Sequence, residues 1–204
     1  MGRNSLEYEY GGYLADHIIK GFPEITVSHC TKFVLLTVLH IHRAGLKQKV
    51  AELLSLLKFP MMPKLKKLVI VETLRGVDSS LLGVANLISA SPILQEFELK
   101  QSWAKVERSN NEIQKGLKHF PLHQHLNVFR FLGYYACPSD VELVNYLLEN
   151  CVALKEIIVD TQTHRRVAYG PLDSKQLELA ERAKGYAKQQ LEPLVPNHIR
   201  LFIC

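Results

Sequence analysis

The sequence predicts an α/β solenoid: parallel strands backed by helices, in about five to six repeats of about 30 residues. Three observations carry this expectation. The pattern apolar-x-x-apolar-x-apolar recurs as Phe33/Leu36/Val38, Leu65/Leu68/Ile70, Leu94/Phe97/Leu99, Leu126/Phe129/Phe131 and Leu154/Ile157/Val159, its middle positions 32, 29, 32 and 28 residues apart. Helical spacing of apolar residues fills much of the sequence between these strands. The chain has 204 residues, 47% hydrophobic and 22% charged, which is the composition of one folded domain with a sizeable core, read here as spanning 1–204. One strand and one helix of this length cannot bury their own apolar face, so successive units must stack. A doubly wound sheet is the competing α/β arrangement, but it does not call for one recurring pattern in every strand.

The elements follow in order. Leu6 to Tyr13 alternates like an edge strand that turns at Gly11-Gly12, so 1–30 reads as an incomplete first repeat. Residues 31–125 read as central repeats. In the first of them His40 and His42 alternate along the strand and are expected to decorate the open face of the sheet. Val50, Leu53, Leu54 and Leu57 fall at i, i+3, i+4 and i+7, a helix closed by Phe59-Pro60; Leu81, Val84, Ala85 and Ile88 repeat the spacing up to Ala90-Ser91-Pro92. Gln101 to Gly116 and Thr161 to Pro171 read as loops. Ser139-Asp140-Val141-Glu142 has capping-box form and opens a helix through Tyr146, Leu147 and Leu148 that ends at Glu149-Asn150-Cys151. Residues 171–204 read as a capping helix and short strand: a start at Asp173-Ser174, a stripe of Leu177, Ala180, Ala183, Ala187 and Leu191, a stop at Pro193 and Pro196, and a strand within His198 to Ile203.

Composition narrows the function. The longest apolar stretch, Phe33 to Ile41, falls far short of the roughly 18 residues a membrane helix requires, so no membrane partner is expected. The opening Met-Gly-Arg-Asn-Ser-Leu has no apolar signal core, and Cys30, Cys137, Cys151 and Cys204 form neither a disulfide framework nor a C-x-x-C pair. A reducing compartment, cytoplasmic or nuclear, fits best. The net charge of +5 is uneven: from Arg43 to Arg75 there are eight basic residues against Glu52 and Glu72. That segment could meet nucleic acid or an acidic surface, though its charges alternate with core-type leucines as on a solvated amphipathic face.

Catalytic chemistry is not signalled. There is no Gly-x-Ser-x-Gly elbow, Walker loop, Gly-x-Gly-x-x-Gly or His-Glu-x-x-His, so the chain reads as no enzyme and calls for no cofactor. His119, His123 and His125 lie within seven residues, but Pro121 interrupts them and no second ligand pair has the right spacing. Histidines leading into a strand are more often solvent-facing or satisfied by backbone, so no metal is expected.

The run Val128 to Tyr134, then Glu142 to Asn150, then Leu154 to Val159 resembles the carboxy-terminal FBD region of plant F-box/LRR proteins. The resemblance extends upstream through leucine-rich repeats, with Leu82 to Pro92 before Leu94 typical of the group, and marks 126–170 as an FBD-like repeat. It implies a non-catalytic protein-interaction module similar to the substrate-recognition region of those proteins. The F-box that binds a Skp-type adaptor has no counterpart, so that adaptor is not expected as a partner; a truncated subunit of a cullin-RING ubiquitin ligase is the alternative reading. The Asn or Cys that follows three positions after the last apolar residue in standard leucine-rich repeats is also missing, as Thr73, Ser102 and Tyr134 show.

Strand alternation then predicts the binding face. Lys67, Val69 and Val71, Glu96, Glu98 and Lys100, Val128, Arg130 and Leu132, and Glu156, Ile158 and Asp160 should share the open side. The expected binding residues are Glu96, Glu98, Lys100, Arg130, Leu132, Glu156, Ile158 and Asp160, with Trp103, the one tryptophan, as a possible anchor just beyond the third strand. A stripe of mixed charge and aliphatic surface suits a protein, which is the expected partner, better than nucleic acid.

Overall fold

The computed structural model describes residues 5–8, 38–44, 61–77, 81–107, 122–162 and 174–204. Seven strands form one sheet in sequence order: β1 Ser5–Tyr8, β2 Val38–Ala44, β3 Lys67–Val77, β4 Glu96–Glu107, β5 Val128–Leu132, β6 Glu156–Asp160 and β7 Arg200–Ile203. Every neighbouring pair is parallel. Three helices are described: α1 Val84–Ser89, α2 Pro138–Asn150 and α3 Ser174–Leu191. No helix among the described residues is long and apolar enough to cross a membrane.

The register aligns Leu68, Phe97, Phe129 and Ile157, and beside them Ile70, Leu99, Phe131 and Val159. All eight are buried at 2% exposure or less and belong to one core with Val84, Leu87 and Ile88 of α1, Leu143, Val144 and Leu147 of α2, and Ala187 and Leu191 of α3. The helices therefore cover the sheet face that the recurring apolar positions form. Phe97 and Phe129 stack at 5.2 Å, and Phe131 meets Tyr134 edge-on at 5.3 Å, so an aromatic ladder runs across the middle strands.

The turns before the strands repeat one geometry. The amide of Leu65 donates to Met62 O, Leu94 to Ser91 O, Leu154 to Cys151 O and Ile199 to Pro196 O, at 2.9–3.2 Å. In the turn before β5 the acceptor changes: Leu126 donates instead to Nδ1 of His123 at 3.1 Å, freeing His123 O for Val152 N. Adjacent turns are stitched by backbone bonds from Gln95 to Lys66 O, Asn127 to Gln95 O, Lys155 to Asn127 O and Arg200 to Lys155 O, each 2.9 Å.

Several sequence expectations are corrected. The partner of Leu68 on β2 is Leu39, not Leu36, and that of Ile70 is Ile41. The near-continuous apolar run lets the motif fit in two frames, and pairing with β3 selects the later. Gln101 is not the start of a loop, because β4 continues to Glu107. The capping box lies two residues earlier than expected: Cys137 is the N-cap, Pro138 takes the first turn, and Asp140 Oδ2 accepts from the amides of Cys137 (3.0 Å) and Tyr135 (3.1 Å), while Ser139 is buried inside the helix. A proline's fixed φ and missing N–H suit that first turn. On α3, Ala180, Ala183, Ala187 and Leu191 are buried as expected, but Leu177 is exposed near the helix start. The helix expected at Val50 to Leu57, the loop after Gln162 as far as Pro171, and His119 lie outside the described residues.

Candidate functional site

The sheet face opposite the core carries three cross-strand rows. In register these are Lys67, Glu96, Val128, Glu156 and Arg200; Val69, Glu98, Arg130, Ile158 and Phe202; and Val71, Lys100, Leu132 and Asp160. His40 and His42 extend the second and third rows at their register positions on β2. From β4 to β6 the face positions are part-exposed while those between them are buried, as one-sided strands require. The structure thus brings together Glu96, Glu98, Lys100, Arg130, Leu132, Glu156, Ile158 and Asp160.

Two members of the face differ from expectation. Val69 and Val71 are 2% and 6% exposed, on β3 between β2 and β4. They contribute little open surface. Trp103 is not beyond the strand but within β4, opposite Arg75, after a register irregularity at Thr73/Arg75. Alternation therefore does not carry it into the rows, and its side chain falls outside the described residues.

Charges on the face satisfy one another. Lys67 Nζ lies 3.2 Å from Glu96 and 3.9 Å from Glu98, Lys100 Nζ 3.1 Å from Glu98, Arg130 Nη1 3.3 Å from Glu96, and Arg200 Nη2 2.7 Å from Glu156. Arg130 thus pairs diagonally with Glu96 rather than with Glu98 directly opposite. These groups keep contact with water, so each pair contributes about 0–1 kcal/mol. Asp160 has a structural task besides, with Oδ1 accepting from Gln162 N at 2.7 Å and its carbonyl accepting from the amides of Gly133 and Tyr134.

Sequence reasoning missed Phe202. It stands in register with Ile158 and is 46% exposed, the largest apolar side chain on this face. The alternation of Ile199, Leu201 and Ile203 around it was the available signal.

His123 is a structural clamp. The residue is buried at 6% exposure; Nε2 donates to Ser91 O at 2.9 Å, and Nδ1 accepts from the amides of Leu126 (3.1 Å) and His125 (3.3 Å). Both ring nitrogens are occupied by backbone, so this ring is not poised to ligate a metal, and no cluster of three ligating side chains occurs among the described residues. Burial holds its pKa below the ordinary 6.5, the Ser91 contact opposing and His125 adding to the shift. The unfolded ring therefore binds a proton that the folded ring refuses, which makes this contribution full above about pH 6.5 and progressively lost as pH falls below it. Urea titrations at about pH 7.5 and 5 should show His123→Gln losing less stability on acidification than the parent protein; an equal loss contradicts the clamp.

Sequential parallel strands, a helix-covered apolar face and an opposite strand face of mixed charge and aliphatic surface define a leucine-rich-repeat type of domain. A family model described as At1g61320/AtMIF1, LRR domain, matches residues 47–204. That match spans most of the chain, which belongs to this plant leucine-rich-repeat family. No curated protein and no solved structure matches it.

Proposed function

We propose that the chain is a non-catalytic protein-interaction module, a leucine-rich-repeat solenoid over 1–204 that binds a protein partner across β4 to β7. The observation that carries this reading is the strand face itself. The helices described pack into the core on the other side, and the face sets Leu132, Ile158 and Phe202 among paired charges. Apolar groups set among charges that neutralise one another suit a protein interface. Leucine-rich-repeat membership supports an interaction role. The resemblance of 126–170 to the FBD region adds a substrate-recognition role of the F-box/LRR kind, in the cytoplasm or nucleus.

Affinity capture with the full chain tests this. Ile158→Glu together with Phe202→Glu should leave the melting curve almost unchanged, because both side chains lie outside the core, and should weaken capture by about a hundredfold or more by burying unpaired charge. Undiminished capture by the folded variant would place the interface elsewhere.

A further inference from the structure

A second surface lies along the rim where β3 to β7 begin. Five turns supply it, residues 61–66, 90–95, 122–127, 150–155 and 196–200, and none contains an aspartate or glutamate. The backbone bonds that stitch Lys66 to Gln95, Asn127, Lys155 and Arg200 hold these turns in a row. At the usual strand separation the row is about 20 Å long. Met61, Leu122 and Val152 stand on it at 57%, 56% and 57% exposure, with exposed Pro63 and Pro92. Lys64, Lys66, Lys155, His125 and His198 are exposed among them, and the three lysines make no ion pair among the described residues. The acids that adjoin these turns in sequence are Glu96 and Glu156, which open the strands and are taken by Lys67, Arg130 and Arg200, and Glu149 on the last turn of α2.

From this arrangement we infer that the rim docks an acidic protein segment bearing aliphatic side chains, laid across the turns. The strand face pairs most of its own charges, whereas the rim offers lysines that are unpaired among the described residues beside exposed aliphatic groups, so it is complementary to carboxylates interleaved with apolar residues. The turns contain no tryptophan or tyrosine, the residues that seat a protein at a membrane interface, and no phenylalanine; their rings are the imidazoles of His123, His125 and His198, fewer and smaller than the platforms on which single-stranded nucleic acid stacks. A protein segment is therefore the occupant.

The test uses the full chain and a fluorescein-labelled peptide of alternating Glu and Leu, about a dozen residues long so that it spans the row when extended. Fluorescence anisotropy should show binding that weakens about tenfold or more when Lys64→Glu, Lys66→Glu and Lys155→Glu are combined, and comparably when Met61→Ser, Leu122→Ser and Val152→Ser are combined. A Glu and Ser peptide of equal charge should bind at least about tenfold more weakly. Phe202→Glu should change nothing, which separates this surface from the strand face. Lys155→Glu or Leu122→Ser alone supplies the same reading, in a smaller step, if a triple variant fails to fold. Equal binding of the Glu and Ser peptide, indifference to the rim substitutions, or displacement of the peptide by phosphatidylserine vesicles would each overturn the inference.

Discussion

Gly133→Ala should abolish or nearly abolish the folded state, at a cost of about 4 kcal/mol or more in urea denaturation. Gly133 sits at φ +84° at the end of β5, and a Cβ there would lie 2.0 Å from the backbone oxygen of Gln101. That oxygen belongs to β4, and the amide of Gly133 is held from the other side by Asp160 O at 2.8 Å, so neither neighbour can yield without parting adjacent strands. Left-handed backbone alone does not account for the effect, because Ala136 adopts φ 60° three residues later. The close approach of two chains is what excludes a side chain. Ala136→Gly, which adds no atoms, should change stability by only about 1 kcal/mol or less.

Phe129→Ala should cost about 3–5 kcal/mol, a large share of the about 5–15 kcal/mol that holds a typical domain together. The ring is fully buried, stacked on Phe97 at 5.2 Å and tilted against Phe131 at 5.9 Å. Its removal opens a cavity at the centre of the aromatic ladder, where strands on both sides are fixed in register. Phe129→Leu should cost markedly less, because most of the volume remains. A fall in the urea midpoint at unchanged slope is the expected signature. A loss below about 1 kcal/mol for the alanine variant would mean that Phe129 does not occupy the core.

The core positions were legible because a one-sided strand must repeat its apolar residues at a period of two, and Leu68, Phe97, Phe129 and Ile157 obey that rule in strands that turned out to be neighbours. The frame of β2 was not, since Phe33 to Ile41 is apolar almost throughout and only pairing with β3 distinguishes Leu36 from Leu39. Cap chemistry misled for a local reason: Ser139 and Glu142 have the right types, but Pro138 starts the helix earlier and Asp140 serves the cap. The face was readable by alternation, which located Arg130, Ile158 and Glu156, yet alternation says nothing about depth, and Val69 and Val71 proved buried. Phe202 lay on a strand too short to show the full pattern. The rim was invisible in the sequence because Met61, Leu122 and Val152 come to one edge of the sheet only through the stacking of successive turns.

Hydrogen–deuterium exchange of the full chain with and without its captured protein partner tests the central claim most directly. Binding across the strand face should slow exchange in Glu96–Lys100, Val128–Leu132, Glu156–Asp160 and Arg200–Ile203, with α2 and α3 unchanged. Protection confined to α2 and α3, with those strands unaffected, would show that the partner docks on the helical side and would contradict the account.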